Sequence, residues 1–138
     1  MPPTANSQVI VALDVSGRRI GVARCDPTGT LVSPQGVIDR RSSQGGRRRL
    51  DRILDEQAAD LILVGLPLGR DGRPTVQSER VRSQARQLLA GRPERIEFFD
   101  ESYTTAEANH RFAADADDAH AAAVMLEHYL MAREGDRG

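Results

Sequence analysis

The strongest constraint on the fold lies between Gln8 and Arg24, in the stretch QVIVALDVSGRRIGVAR. An apolar run from Val9 to Leu13 leads to a single carboxylate, Asp14. A polar turn follows, Ser16-Gly17-Arg18-Arg19, and a second apolar run, Ile20 to Ala23, heads back. Two short apolar runs joined by a glycine-bearing turn predict a β-hairpin at the middle of a sheet. An acid ending a buried strand is costly unless it is solvated, paired or bound to a metal. Asp14 is therefore the first candidate functional residue.

With 138 residues the chain is expected to form one domain, with residues 1–7 and 134–138 as flexible ends. No apolar run is long enough to span a bilayer, and the polar start, Met1 to Ser7, lacks the pattern of a signal peptide. Cys25 is the only cysteine, so an internal disulfide is excluded; the expectation is a cytoplasmic protein without a membrane partner. The net charge of -1 argues neither for nor against a nucleic-acid partner. All 19 basic residues are arginine, and each offers a planar fork suited to phosphate. They cluster at Arg18-Arg19, at Arg40-Arg41 with Arg47-Arg48-Arg49, and at Arg80-Arg82-Arg86.

Beyond the hairpin, Thr30 to Ile38 reads as a third strand that Pro34 restricts to an edge or a bulge. A helix is expected from Arg47 to Ala59, with Leu50, Ile53, Leu54 and Ala58 on one face. The continuous apolar run Leu61 to Val64 reads as a buried parallel strand, ending in the turn-rich loop Gly65 to Pro74. A second helix is expected from Thr75 to Leu89 and a further strand from Arg95 to Phe99, finished by two acids, Asp100 and Glu101. Thr104 and Glu107 fit a capping box for a short helix through Phe112. A last helix opens at Ala114 to Asp118 and carries an apolar stripe through Ala122, Met125, Leu126 and Tyr129, with a polar tail from Glu134.

Acids thus stand at element ends in three places: Asp14, Asp100/Glu101 and Asp117/Asp118. A central first strand, a later strand and a helix start can converge at one end of a sheet. Clustered carboxylates raise one another's pKa, and a divalent cation removes that penalty. Oxygen ligands without a His or Cys cluster select magnesium or manganese over zinc. Two such ions about 4 Å apart can activate a water and stabilise a leaving oxygen in phosphodiester hydrolysis.

The segments LDVSGRRIGVA, LILVGLPLGRDG, RVRSQARQL, DESYTTAEA and DDAHAAAVMLEHYL, in this order, resemble the YqgF/RuvX family. These are Holliday-junction-resolvase-like nucleases, also described as pre-16S rRNA nucleases. The resemblance implies an α/β, RNase H-like fold: a central mixed five-stranded sheet flanked by helices. It implies a Mg2+- or Mn2+-dependent nuclease that acts in 5′-end processing of precursor 16S rRNA. It carries Asp14, Glu101 and Asp118 across as metal-binding catalytic acids, with Asp100 beside Glu101. Arg19 matches a basic position of the hairpin, and Gly65 and Pro67 match a loop near substrate. Arg47 and Arg48 are added as backbone contacts from the charge clusters. The chain departs from the family pattern at Ser16, where glycine is usual, and at Ser102, where arginine is usual. The segment before Asp118 is also shorter than is typical.

Three other functions compete. A junction resolvase would need two active sites and hence a stable two-fold homodimer; the chain is expected as a monomer or a homodimer. A non-catalytic nucleic-acid-binding assembly factor would keep the fold without cutting. An actin- or sugar-kinase-like ATPase has a similar phosphate hairpin, but such proteins enclose nucleotide between two lobes and this chain has room for one.

Overall fold

The computed structural model describes residues 8–16, 18–41, 46–67, 71–101 and 118–137; Ser16, Glu101, Asp118 and residues 134–137 are described by their backbone alone. The elements are β1 (Ile10–Ser16), β2 (Arg19–Cys25), β3 (Val32–Asp39), α1 (Arg47–Gln57), β4 (Leu61–Pro67), α2 (Val76–Leu88), β5 (Arg95–Glu101) and α3 (Asp118–Arg137). The expected short helix from Thr104 to Phe112 lies outside the described residues.

The five strands form one sheet in the order β3-β2-β1-β4-β5. β1, β2 and β3 pair antiparallel in sequence, while β1, β4 and β5 run parallel. β1 is central because its residues from Ile10 to Leu13, and Val15 beyond Asp14, are apolar and all buried. Pro34 sits on edge strand β3, where the pairing with β2 shifts between Val22 and Ala23. A residue without a backbone donor is tolerated at such a bulge.

The two faces of the sheet carry side chains of different size. One presents Val11, Leu13, Val15, Ile20, Val22, Ile38, Ile62, Val64 and Leu66, and packs on Leu50 and Leu54 of α1 and Val81, Ala85 and Leu89 beside α2. The other presents Ile10, Ala12, Ala23, Cys25, Leu61 and Leu63, and packs on Ala122, Ala123, Met125, Leu126 and Tyr129 of α3. Strand alternation sorts these residues, since successive side chains point to opposite faces.

Several element ends differ from the sequence reading. β4 continues through Gly65-Leu66-Pro67, whose turn residues suggest a loop, because Leu66 is buried against the α1/α2 layer. β5 extends through Asp100 and Glu101, so both acids are strand residues paired with Leu66 and Pro67. α3 runs to Arg137 in place of the expected polar tail. Thr75 caps α2 in a reciprocal pair with Ser78, and the Ser78 hydroxyl donates to the Pro67 carbonyl, tying the helix start to the end of β4.

Arg92, in the connection from α2 to β5, looks in the sequence like no more than part of a helix stop. Its guanidinium binds Glu94, Asp55 at 2.9 Å and Asp51 at 3.4 Å, fastening α1 to that connection. The hydrogen bonds and charge of Arg92 hold the Glu94 carboxyl below its ordinary range. Such a carboxylate stabilises the fold above its unfolded pKa of about 4.3, and the contribution fades as pH falls through the lower folded value. Arg92→Ala is expected to cost about 3 kcal/mol in urea unfolding at neutral pH, because Glu94, with a side chain 8% exposed, loses its partner. The variant's stability should also fall less between pH 5 and pH 3 than that of the wild type.

Candidate active site

Asp14 lies near the exit of β1, half-buried, with Gly21 of β2 as its cross-strand neighbour. It shares the α3-facing alternation with Ala12, so it stands on the side of the sheet lined by small residues. Leu13 pairs with Val64, which brings the next residue, Asp14, level with Gly65 of β4. Gly65 pairs in turn with Phe99, and Pro67 with Glu101. The Glu101 position therefore belongs to the alternation of Asp14. Asp100 pairs with Leu66, belongs to the opposite alternation and is exposed. Two strand spacings, about 10 Å, separate β1 from β5.

α3 runs antiparallel to β1. Met125 lies over Gly65, the Tyr129 hydroxyl donates to Glu97, and Arg133 reaches Gln8, which precedes β1. The first residue of α3, Asp118, is seven residues before Met125, about 10 Å of helix rise beyond it towards the strand ends. The backbones of Asp14, Glu101 and Asp118 thus sit at one edge of the sheet, where β1, β4 and β5 end. Among the described side chains no three His, Cys, Asp or Glu residues form a cluster; those of Glu101 and Asp118 are not among them. The acids at this edge are carboxylates, with His120 in the first turn of α3 two residues from Asp118, while Cys25 is buried opposite Ile10 at the far end of the hairpin. Carboxylate oxygens are the donors that a hard divalent cation prefers.

The other sequence candidates divide. Arg19 opens β2, exposed, on the same alternation as Gly21 and two residues from it, so it stands beside Asp14. Pro67 ends β4 and is half-buried at the same edge. Gly65 is buried: a Cβ there would meet the Met125 sulfur at 2.1 Å, so a packing contact with α3 explains the glycine and leaves it no surface to offer a substrate. Arg47 and Arg48 open α1, on the other side of the sheet from Asp14. Arg47 is held by Asp51 at 2.9 Å and by the Ala90 carbonyl at 2.8 Å, which gives it a structural task; Arg48 is exposed. Charge clustering alone could not show which face of the sheet an arginine would occupy.

A parallel β1-β4-β5 core with an antiparallel hairpin beside it is the RNase H-like fold. Solved structures with this fold include Thermus thermophilus RuvC in complex with Holliday junction substrate, at a TM-score of 0.56 and 13% identity, covering 93% of this chain and 96% of that one. The fowlpox virus Holliday junction resolvase matches at a TM-score of 0.56 and 11% identity, covering 90% and 99%. The chain belongs to the RuvX family, whose model, described as Holliday junction resolvase, matches residues 8–132. Among its relatives are ribonuclease YqgF of Deinococcus radiodurans, 36% identical over 94% of this chain and 93% of that protein. A protein of Crocosphaera subtropica, named as a candidate pre-16S rRNA nuclease, is 31% identical over 87% and 90%. No helix among the described residues is long and apolar enough to cross a membrane.

The Gly65–Met125 contact is open to test. Gly65→Ala is expected to lower stability by about 2 kcal/mol through overpacking, and Met125→Ala alone by a similar amount through a cavity. In a double-mutant cycle the two changes should be less costly together than the sum of each alone.

Proposed function

We propose that this protein is a divalent-metal-dependent nuclease that hydrolyses phosphodiester bonds in 5′-end processing of precursor 16S rRNA, with Asp14, Glu101 and Asp118 as its metal-binding acids. The observation that carries the reading is the shared strand exit: three acid positions, distant in sequence, belong to elements that end or begin at one edge of one sheet. Membership of a nuclease family and relatives named for ribosomal precursor RNA support the substrate class.

When bound, Mg2+ or Mn2+ supplies Lewis acidity at the scissile phosphate and a water made nucleophilic at neutral pH. The chain's own residues do the positioning. Asp14 is oriented by a buried strand, with Gly21 as its cross-strand neighbour. Arg19, exposed beside it, is suited to hold the non-bridging phosphate oxygens by paired N–H donors. Pro67, its carbonyl engaged by Ser78, stiffens the β4 exit between the two acid-bearing strands. A single copy suffices for trimming one strand, so the reading needs no dimer. The setting it implies is the cytoplasm, where precursor rRNA is processed.

Cleavage of a structured precursor RNA should require Mg2+ or Mn2+ and stop on chelation. Asp14→Asn should lower the rate by at least about 100-fold without loss of fold. Glu101→Gln should behave alike, whereas Asp100→Asn, on the opposite alternation, should change it less than about threefold. Equal rates for wild type and Asp14→Asn would remove the mechanism. A strong preference for four-way DNA, with a stable dimer, would replace the RNA substrate with a junction.

A further inference from the structure

Aromatic residues are 4% of the chain, yet all three among the described residues, Phe98, Phe99 and Tyr129, lie at or against β5. α3 packs over β2, β3 and β1, so beside it the same face of β4 and β5 forms the floor of a groove of about 510 Å³. Arg95, Glu97 and Phe99 supply its β5 wall, and Tyr129 and Arg133 its α3 wall. The groove lies on the alternation shared by Asp14 and the Glu101 position, at the starts of β4 and β5, and Phe99 is the lining residue nearest the candidate active site, two residues before Glu101. From Glu101 to Arg95 the strand spans about 20 Å.

The lining combines charge and rings. Arg95 is exposed, and Arg133 stands 5.5 Å from the centre of the Tyr129 ring. Among the described residues neither arginine has a carboxylate within salt-bridge distance. The one acid among the described lining residues, Glu97, accepts the Tyr129 hydroxyl, and Phe99 meets the Tyr129 ring edge-on at 5.5 Å. Burial and Glu97 push the Tyr129 phenol up to about 12, so it remains a donor to that carboxylate. Two arginines against one engaged acid leave the groove electropositive, and its volume suits a unit the size of a nucleotide.

We propose that this groove receives the single-stranded polynucleotide leading away from the scissile phosphate, with Arg95 and Arg133 on its backbone and a base against Phe99. Positive charge that follows the backbone, interleaved with rings, is the common chemistry of single-strand binding. The proposal rests on the nuclease reading, but it can be read without catalysis.

Binding of the full chain to a short RNA hairpin is measured by fluorescence anisotropy in chelator, with and without a six-nucleotide single-stranded extension on either side. One of the two extensions should tighten binding about tenfold. Arg95→Ala with Arg133→Ala should abolish that gain and leave affinity for the unextended hairpin unchanged. The salt dependence for the extended RNA should fall by about 1.4, at about 0.7 for each phosphate no longer neutralised. Arg95→Lys with Arg133→Lys should keep most of the gain. Arg95→Ala alone, at an exposed position, should lower the slope by about 0.7 and guards against misfolding of the double variant. Three results would overturn the proposal: no gain from either extension, a gain that survives the double alanine variant, or a gain abolished instead by Arg82→Ala and Arg86→Ala, whose guanidiniums stack on Phe98 across the sheet. Because cleavage is not read, a failure here is separate from a failure of Asp14→Asn to abolish activity.

Discussion

The architecture depends on how closely α3 can approach the sheet. On its side the central strands offer Ala12, Gly21, Ala23 and Gly65, and the helix answers with Ala119, Ala122 and Ala123. Small residues on both partners let the backbones draw together, and Met125 fills the space above Gly65. The other face is built in the opposite manner, from branched side chains that hold α1 and α2 further out. This asymmetry fixes the height of α3, and with it the height of Asp118 relative to the strand exits. A wider spacing would separate the helix-borne acid from those on β1 and β5.

Much of this was legible in the sequence, for identifiable reasons. The hairpin, the parallel strand after α1 and the acid at the end of β1 follow from short apolar runs and their punctuation. Pro34 announced an edge or a bulge, and the structure has both. The exits of β4 and β5 were less legible, because Gly, Pro and adjacent acids are loop-like locally, whereas pairing along β4 and β5 and burial of Leu66 keep these residues in strands. The choice between Asp100 and Glu101 was beyond sequence reading. It turns on strand register, which depends on pairing with Leu66 and Pro67.

The arginines show the same limit. An all-arginine basic set marks a chain able to bind phosphate, but not where. Arg47 and Arg92 prove to hold α1, α2 and β5 together through Asp51, Asp55, Glu94 and the Ala90 carbonyl. Arg19 and Arg95 are left at the surface on the α3 side. Their different fates come from partners far away in the chain, such as Asp51 and Arg92, 41 positions apart.

The irregular pairing at Pro34 has a consequence beyond local geometry. A sheet margin with regular backbone donors is a template on which a second polypeptide can add a strand, and that route leads to aggregation. On β3 the missing donor of Pro34 and the shifted register interrupt the template midway along the strand. Self-association by strand addition is thereby discouraged on that margin, and the protein can keep an open sheet without closing it into a barrel.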